Sequence, residues 1–123
     1  ALRIELAEAG HDLPIYFGNR NWTPYVTDTI AQMRDDGVRN ALYFVTSAFS
    51  SYSGCRQYRE DMERAVATVG EGAPAFDKLR VFYNHPGFIE PMVERVREAL
   101  DHFPETRRAH VELVFTAHSI PLE

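Results

Sequence analysis

The sequence predicts an α/β protein built on a parallel sheet. Strand-like apolar runs alternate with helical patterns three times along the chain, and a final strand follows. Such alternation is typical of parallel sheets with right-handed crossovers. The clearest strand, residues 40–46, is continuously apolar at its centre, as expected where helices cover both faces of a sheet. The 123 residues are enough for one domain with one core.

Two helices and one strand precede that strand. Residues 1–12 carry apolar side chains at helical spacing, and we expect the end of a helix there. Residues 13–17 form a short apolar run that ends at a glycine, which predicts a strand. Thr23 is a candidate N-cap, with Pro24 at the first helical position. The inward stripe of the helix that follows consists of Val26, Ile30 and Met33.

The same pattern continues in the second half of the chain. Residues 55–69 predict a helix, residues 79–83 a strand and residues 88–103 a further helix. Pro91 lies inside this last helix, where a proline costs about 3 kcal/mol or more. Either the helix begins near Pro91, or Gly87 one turn earlier relieves the clash.

Composition excludes some classes of function. The formal net charge of −5 argues against a general nucleic-acid binder, and no apolar run approaches the roughly 20 residues of a membrane helix. The single cysteine, Cys55, excludes an internal disulfide framework, so a cytoplasmic setting is expected. The absent initiator Met and the end shortly after His118 suggest an excised piece of a longer protein.

The loops that follow the predicted strands should meet at one edge of the sheet. They are residues 18–23, 47–55, 84–87 and 117–121. The polar and aromatic residues on that edge would be Arg20, Asn21, Trp22, Ser51, Tyr52, Cys55, His85 and His118. Arginine suits carboxylates, aromatic rings suit a flat ligand, and imidazole suits a metal or a proton. This set fits an acidic planar macrocycle, and it fits a nucleotide or flavin pocket as well.

Most of these residues also have a purely structural interpretation. Trp22 could simply cover the start of a helix, and Arg20 could be a solvated surface charge. His85, before a proline, is better explained as a turn residue than as a ligand. Ser51 fits a loop or N-cap position. His118 follows the last predicted strand, residues 111–116, and on spacing alone a turn residue explains it equally well.

The stretch Phe115-Thr116-Ala117-His118-Ser119-Ile120-Pro121 resembles the signature of the ferrochelatases. The resemblance extends over nearly the whole chain. It implies an incomplete chelatase domain over residues 1–123, with a flavodoxin-like, three-layer α/β/α fold whose leading strand and C-terminal half are absent. The implied activity is the insertion of ferrous iron into coproporphyrin III or protoporphyrin IX in heme biosynthesis. The fragment alone is expected to be inactive.

The same resemblance assigns roles to individual residues. Arg20 matches a basic position on the porphyrin and metal side of the family's cleft, and Asn21 falls where many members have Tyr or His. Ser51 matches a serine lining the porphyrin cleft, and we expect Tyr52 beside it to bind the substrate as well. His118 matches the histidine that binds ferrous iron or accepts pyrrole protons. The glutamate that cooperates with it in the family lies in a half that this chain does not contain.

Cys55 has two interpretations. Its spacing from Tyr58 and Met62 fits a small buried hydrophobe on a helix face. Residues 51–60, however, are similar to actinobacterial ferrochelatases, some of which hold a 2Fe–2S cluster with one cysteine here and three from the C-terminal region. A cluster needs four ligands, so the resemblance implies a cluster ligand in the intact enzyme and an orphan thiol in this chain.

The resemblance also implies partners and leaves alternatives. The intact protein is expected to be a monomer that binds a porphyrin and ferrous iron, with no nucleic acid and no transmembrane segment. The piece by itself should be marginally stable or aggregation-prone, or be completed by a partner, since strand edges would be exposed. The alternatives are another metal chelatase, such as a cobalt chelatase, and a non-catalytic flavodoxin-like binding domain. A binding domain should tolerate the loss of His118, whereas a chelatase should not.

Overall fold

The computed structural model describes residues 1–116, which form a mixed α/β structure. The elements are α1 (Leu2–Glu8), α2 (Val26–Asp35), β1 (Asn40–Tyr43), a π-helical turn (Tyr52–Arg56), α3 (Gln57–Val69), β2 (Ala75–Lys78), α4 (Pro86–Asp101) and α5 (Glu105–Arg108). They fall into two compact units. Unit 1 comprises Ala1–Phe44 with Gln57–Leu79, and unit 2 comprises Val45–Arg56 with the described residues from Arg80 to Thr116.

A two-stranded parallel sheet lies in unit 1. Strand β1 pairs with β2, with Asn40 opposite Ala75 and Tyr43 opposite Lys78. The backbone pairing extends one residue beyond β2, where the Leu79 N–H donates to the Tyr43 carbonyl at 3.0 Å. The predicted α/β class and parallel pairing are therefore confirmed, and the predicted strand over residues 40–46 is confirmed for its first four residues.

The other three predicted strands are wrong for the described part of the chain. Residues 13–17, 79–83 and 111–116 lie in no strand, and the partner of β1 is β2, which the apolar pattern did not predict. A strand needs a neighbour as well as an apolar sequence. Phe17 is 69% exposed and Phe115 is 83% exposed, whereas Phe82 and Tyr83 of the middle run pack in an aromatic cluster instead of in a sheet.

The core of unit 1 lies where α2 packs on α3. Ile30 and Met33 from α2 are 1% and 7% exposed, and Ala65 from α3 is 4% exposed. The guanidinium of Arg34 also donates to the Val69 carbonyl at the end of α3. The burial of Ile30 and Met33 and the half-burial of Val26 confirm the predicted inward stripe of α2.

The start of α2 differs from the prediction. The helix begins at Val26 with Tyr25 in the N-cap position, so Thr23 is not the cap and Pro24 is not in the helix. The reason is a closed loop before the helix, in which the Asn19 N–H donates to the Pro24 carbonyl at 2.7 Å. This bond fixes the preceding residues outside the helix. The Thr23–Pro24 peptide bond is cis.

Unit 2 is organised around an aromatic cluster. The Phe88 ring makes edge-to-face contacts with Phe49 and Phe82, at centroid distances of 6.1 and 5.4 Å, and Phe49 stacks on Tyr83 at 6.4 Å. Phe88 itself lies in the first turn of helix α4. None of the residues of α4 is fully buried, but Phe88, Val96 and Leu100 are half-buried.

Helix α4 runs through Pro91 without a break. It begins at Pro86, with the His85 side chain accepting a hydrogen bond from the Gly87 N–H, and Pro91 lies inside it. The carbonyl that a proline ring would crowd belongs to the residue four positions earlier, which is Gly87. The alternative in which Gly87 relieves the clash is therefore the one the structure contains. No helix within residues 1–116 is both long and apolar enough to cross a bilayer.

Candidate functional site

The loop that carries Arg20 and Asn21 is closed by hydrogen bonds from both ends. We call residues 19–25 the Arg20 loop. Besides the Asn19–Pro24 bond, the Val26 N–H donates to the Asn19 carbonyl at 3.0 Å, and the Asn19 amide donates to the Thr23 carbonyl at 3.1 Å. Asn21 and Trp22 form the exposed tip, and Trp22 is 75% exposed. The hydrogen bonds of Asn19 thus fix the base of the loop, while the polar side chain of Asn21 and the aromatic side chain of Trp22 remain exposed.

Arg20 is fixed to helix α3. Its Nε lies 2.7 Å from Asp61 Oδ2, with the two side chains 28% and 16% exposed. Its guanidinium carbon also lies 5.9 Å from the ring centroid of Tyr58, within the range of a cation–π contact. Tyr58 and Asp61 are three residues apart on α3 and therefore share one helix face. Arg20 is thus paired rather than solvated, which excludes its interpretation as a plain surface charge.

An open cleft of 390 Å³ lies at this contact. Its lining consists of Asn19, Arg20, Tyr25, Val26, Thr27, Asp28, Asp61, Arg64, Ala65 and Thr68. Arg64 is the second cation on Asp61 and contacts its other carboxylate oxygen. The cleft therefore combines two guanidinium groups with two carboxylates. An arginine held in a fixed orientation at such a place can pair with a carboxylate of a ligand.

Sequence interpretation missed Asp61. Its position offered a signal, since it lies three residues after Tyr58 and four before the buried Ala65, on the inward face of α3. A carboxylate on an inward stripe needs a cationic partner. The partner itself could not be identified from the sequence, because Arg20 lies far away in the chain.

The predicted substrate-binding residues Ser51 and Tyr52 lie in unit 2, at the π-helical turn. The Ser51 hydroxyl accepts a hydrogen bond from the Gly54 N–H at 2.9 Å, and its carbonyl accepts one from the Cys55 N–H at 2.9 Å. The guanidinium of Arg56 lies 5.9 Å from the centre of the Tyr52 ring. Ser51 therefore fits the loop and cap interpretation, and its bonds shape the turn that carries Tyr52.

Cys55 lies in this turn, directly before α3 in the chain, and its thiol is free and half-buried. The prediction placed it in the first turn of a regular helix, whereas the structure has a π-helical turn there. Gly54 beside it is buried. A Cβ at Gly54 would lie only 2.6 Å from Ser47 Oγ, so this position fits no larger residue without movement of its neighbours.

The two histidines of interest have different outcomes. The Nδ1 atom of His85 accepts a hydrogen bond from the Gly87 N–H at 3.1 Å, so His85 caps α4, as its interpretation as a turn residue predicted. His118 lies outside the described residues. Among residues 1–116, no group of three or more His, Cys, Asp or Glu side chains could hold a metal ion.

The site residues are distributed over both units. Arg20 and Asn21 are neighbours in one loop of unit 1, while Ser51, Tyr52 and Cys55 are neighbours in one turn of unit 2. Within each group the residues are close in the sequence, so their proximity follows from the chain itself.

Comparison with known proteins indicates the family of this chain, which the geometry alone does not. The chain is 58% identical over 118 residues to a coproporphyrin III ferrochelatase from Nocardia farcinica, covering 96% of this chain and 34% of that protein. It is 56% identical over 124 residues to the enzyme of the same name from Frankia alni, covering 99% and 31% of the two chains. It is 52% identical over 122 residues to the coproporphyrin III ferrochelatase from Mycolicibacterium vanbaalenii, covering 99% of this chain and 36% of that protein.

The relatives are considerably longer than this chain. The chain spans about a third of the length of the curated relatives it matches. The family model described as ferrochelatase, in contrast, matches residues 1–123. The chain therefore belongs to the ferrochelatase family.

Proposed function

We propose that this chain is part of an enzyme that inserts ferrous iron into coproporphyrin III in heme biosynthesis. The observation that carries the proposal is the family match over residues 1–123, together with relatives at 52–58% identity that bear that name. The cleft at Arg20 supports it, because a porphyrin with several carboxylates needs oriented cations. Protoporphyrin IX remains the second substrate to be tested.

His118 is the proposed catalytic residue. Ferrous iron, which is a substrate here, can enter the macrocycle only after both pyrrole N–H protons leave. A neutral imidazole can accept a proton or bind the metal. The sequence around His118 supports the assignment, since it fills the family signature from Val114 to Pro121.

The other site residues are proposed to bind the porphyrin. We assign a carboxylate of the substrate to Arg20 and a position against the macrocycle to Asn21 at the exposed loop tip. Tyr52, which is 40% exposed, offers a ring for stacking. The hydroxyl of Ser51 is proposed to line the porphyrin cleft of the intact enzyme while its hydrogen bonds hold the turn.

A 2Fe–2S cluster does not fit this chain alone. A cluster needs four ligands, the sequence has one cysteine, and residues 1–116 contain no group of three or more His, Cys, Asp or Glu side chains that could hold a metal ion. We propose that Cys55 supplies one thiolate and that the other ligands lie outside these 123 residues. Cys55→Ser in the full-length protein should abolish the visible absorption bands and the electron paramagnetic resonance signal of the reduced cluster. A protein that shows neither signal before mutation would contradict the proposal.

The fold of the intact domain is also proposed. We expect residues 1–123 to belong to a single flavodoxin-like, three-layer chelatase domain in a monomer. The parallel pairing of β1 with β2 supports this topology. The cytoplasmic setting expected from the single cysteine stays a prediction.

The experiment that tests the function is anaerobic metallation by the full-length protein. Coproporphyrin III and protoporphyrin IX are each mixed with ferrous iron or with cobalt, and the porphyrin absorption bands are followed. We expect the fastest change with coproporphyrin III and iron. A preference for cobalt would favour the other chelatase, and porphyrin binding without metallation by any metal would favour the binding domain.

A further inference from the structure

The Asp61 carboxylate is an unusual group for the face of α3 on which it lies. Its side chain is only 16% exposed, and it lies between the guanidinium groups of Arg20 and Arg64. Burial of a carboxylate is costly unless cations compensate for the lost hydration. The Oδ2 atom accepts no aligned hydrogen bond from the described residues, although Arg20 Nε lies 2.7 Å away. The contact with Arg20 is therefore primarily an ion pair.

The two arginines are not equivalent. The Arg64 side chain is 68% exposed and belongs to α3 itself, three residues from Asp61, so it adds no connection to another part of the chain. The Arg20 side chain is 28% exposed and comes from a loop that is distant in sequence. Of the two arginines on Asp61, it is therefore Arg20 that links the Arg20 loop to α3, and the Tyr58 ring adds a second point of attachment on the same helix face.

This link fixes the direction of the loop tip. Asn19 closes the base of the loop through its backbone and side-chain hydrogen bonds, and Arg20 follows it directly. Asn21 and Trp22 come next and are exposed. Because the base is closed and Arg20 is paired with Asp61, the orientation of the exposed tip is restricted.

We propose that Asp61 is a positioning residue, which orients Arg20 and thereby the Arg20 loop for porphyrin binding. The inference rests on the proposed function, since it takes Arg20 and Asn21 as porphyrin contacts. Asp61 itself touches neither the porphyrin nor the iron. Its pairing occupies the Nε edge of the Arg20 guanidinium and directs the opposite edge to a ligand carboxylate.

The first test observes the loop without any substrate. Trp22, the only tryptophan of this chain, lies two residues from Arg20, and its indole N–H resonance in the full-length protein is assigned by its loss in Trp22→Phe. We expect Asp61→Asn to shift and broaden this resonance. Glu63→Gln, which removes the same charge from an exposed position two residues along α3, should leave it unchanged. An unshifted resonance in Asp61→Asn would overturn the proposal.

The second test separates positioning from folding. In metallation assays of the full-length protein, Asp61→Asn should raise KM for the porphyrin about tenfold, which corresponds to about 1.4 kcal/mol of binding free energy, while kcat stays within about twofold. Asp61→Glu keeps the negative charge, so its KM should lie between the values of the parent and of Asp61→Asn. Equal KM values in the parent, Asp61→Asn and Glu63→Gln proteins would overturn the proposal.

The outcomes also distinguish this inference from the proposed function. If the parent protein metallates no porphyrin, the proposed function fails, while the Trp22 resonance still reports whether Asp61 orients the loop. If the parent metallates coproporphyrin III and Asp61→Asn behaves like the parent in both tests, the function stands and the positioning role is refuted. A loss of kcat with unchanged KM would also refute it, because Asp61 would then act on the chemical step.

Discussion

The hydroxyl of Tyr16 shows how one side chain can make stability depend on pH. It donates a hydrogen bond to Asp36 Oδ2 at 2.8 Å. This bond raises the pKa of Tyr16 above its ordinary value, and lost solvation and the negative charge of Asp36 add to the effect. A raised pKa in the folded state means that the protonated form contributes stability.

The contribution of Tyr16 should therefore disappear at alkaline pH. It is fully present below the ordinary tyrosine pKa of about 10 and is lost as the pH rises through the higher folded-state pKa. Tyr16→Phe should be slightly less stable than the parent at pH 7 and should lose less stability between about pH 9 and 11. Urea unfolding of both proteins across that range measures the difference. Parallel stability curves would contradict the prediction.

Gly54 is a second residue with a defined structural requirement. A Cβ there would lie 2.6 Å from Ser47 Oγ and 2.9 Å from Ser51 Oγ. Gly54→Ala should destabilise the protein by about 1–3 kcal/mol, which is the usual range for overpacking. Adding Ser47→Gly removes the nearest atom and should recover part of the loss. A Gly54→Ala protein as stable as the parent in urea would show that the turn adapts freely.

At the scale of elements, helix α4 contains a proline whose cost can be measured. Pro91 lies inside the helix and donates no hydrogen bond to the Gly87 carbonyl, while Pro86 occupies the first turn, where no such bond is needed. Pro91→Ala should stabilise the protein by about 1–3 kcal/mol, part of the ordinary cost of an interior proline, since Gly87 removes some of the crowding.

Pro86→Ala is the matched control for this change. It also replaces an exposed proline by alanine in α4 but restores no helical hydrogen bond, so it should change stability by less than about 0.5 kcal/mol. Equal effects of the two substitutions on the free energy of unfolding would show that the backbone bond at Pro91 is not the cause.

The elements also show what the sequence can predict. The inward stripe of α2 was predictable because helical hydrogen bonds are local and its apolar residues Val26, Ile30 and Met33 repeat at helical spacing. The strand β2 was missed because Ala75–Lys78 is short and half polar, and its pairing with β1 is a non-local event. The apolar run at residues 13–17 predicted a strand that finds no partner among the described residues.

At the scale of the whole molecule, a sequence motif was more informative than the pattern of strands. The family was predictable from the residues around His118, and the match over residues 1–123 confirms it. The Arg20–Asp61 pair was not predictable, because it depends on how the Arg20 loop folds against α3. A motif fixes chemistry locally, whereas an ion pair between distant segments requires the tertiary structure.

The proposal that the intact protein inserts iron into a porphyrin depends most on His118. One comparison of variants tests the role of this residue directly. Full-length parent, His118→Ala and His110→Ala proteins are mixed anaerobically with coproporphyrin III and ferrous iron, and metallation rates are measured from the porphyrin absorption bands. His110 is exposed and serves as the control. We predict near-complete loss of metallation in His118→Ala, with the parent rate retained in His110→Ala. A His118→Ala protein that metallates at the parent rate would contradict the account and would place the chemistry on other residues.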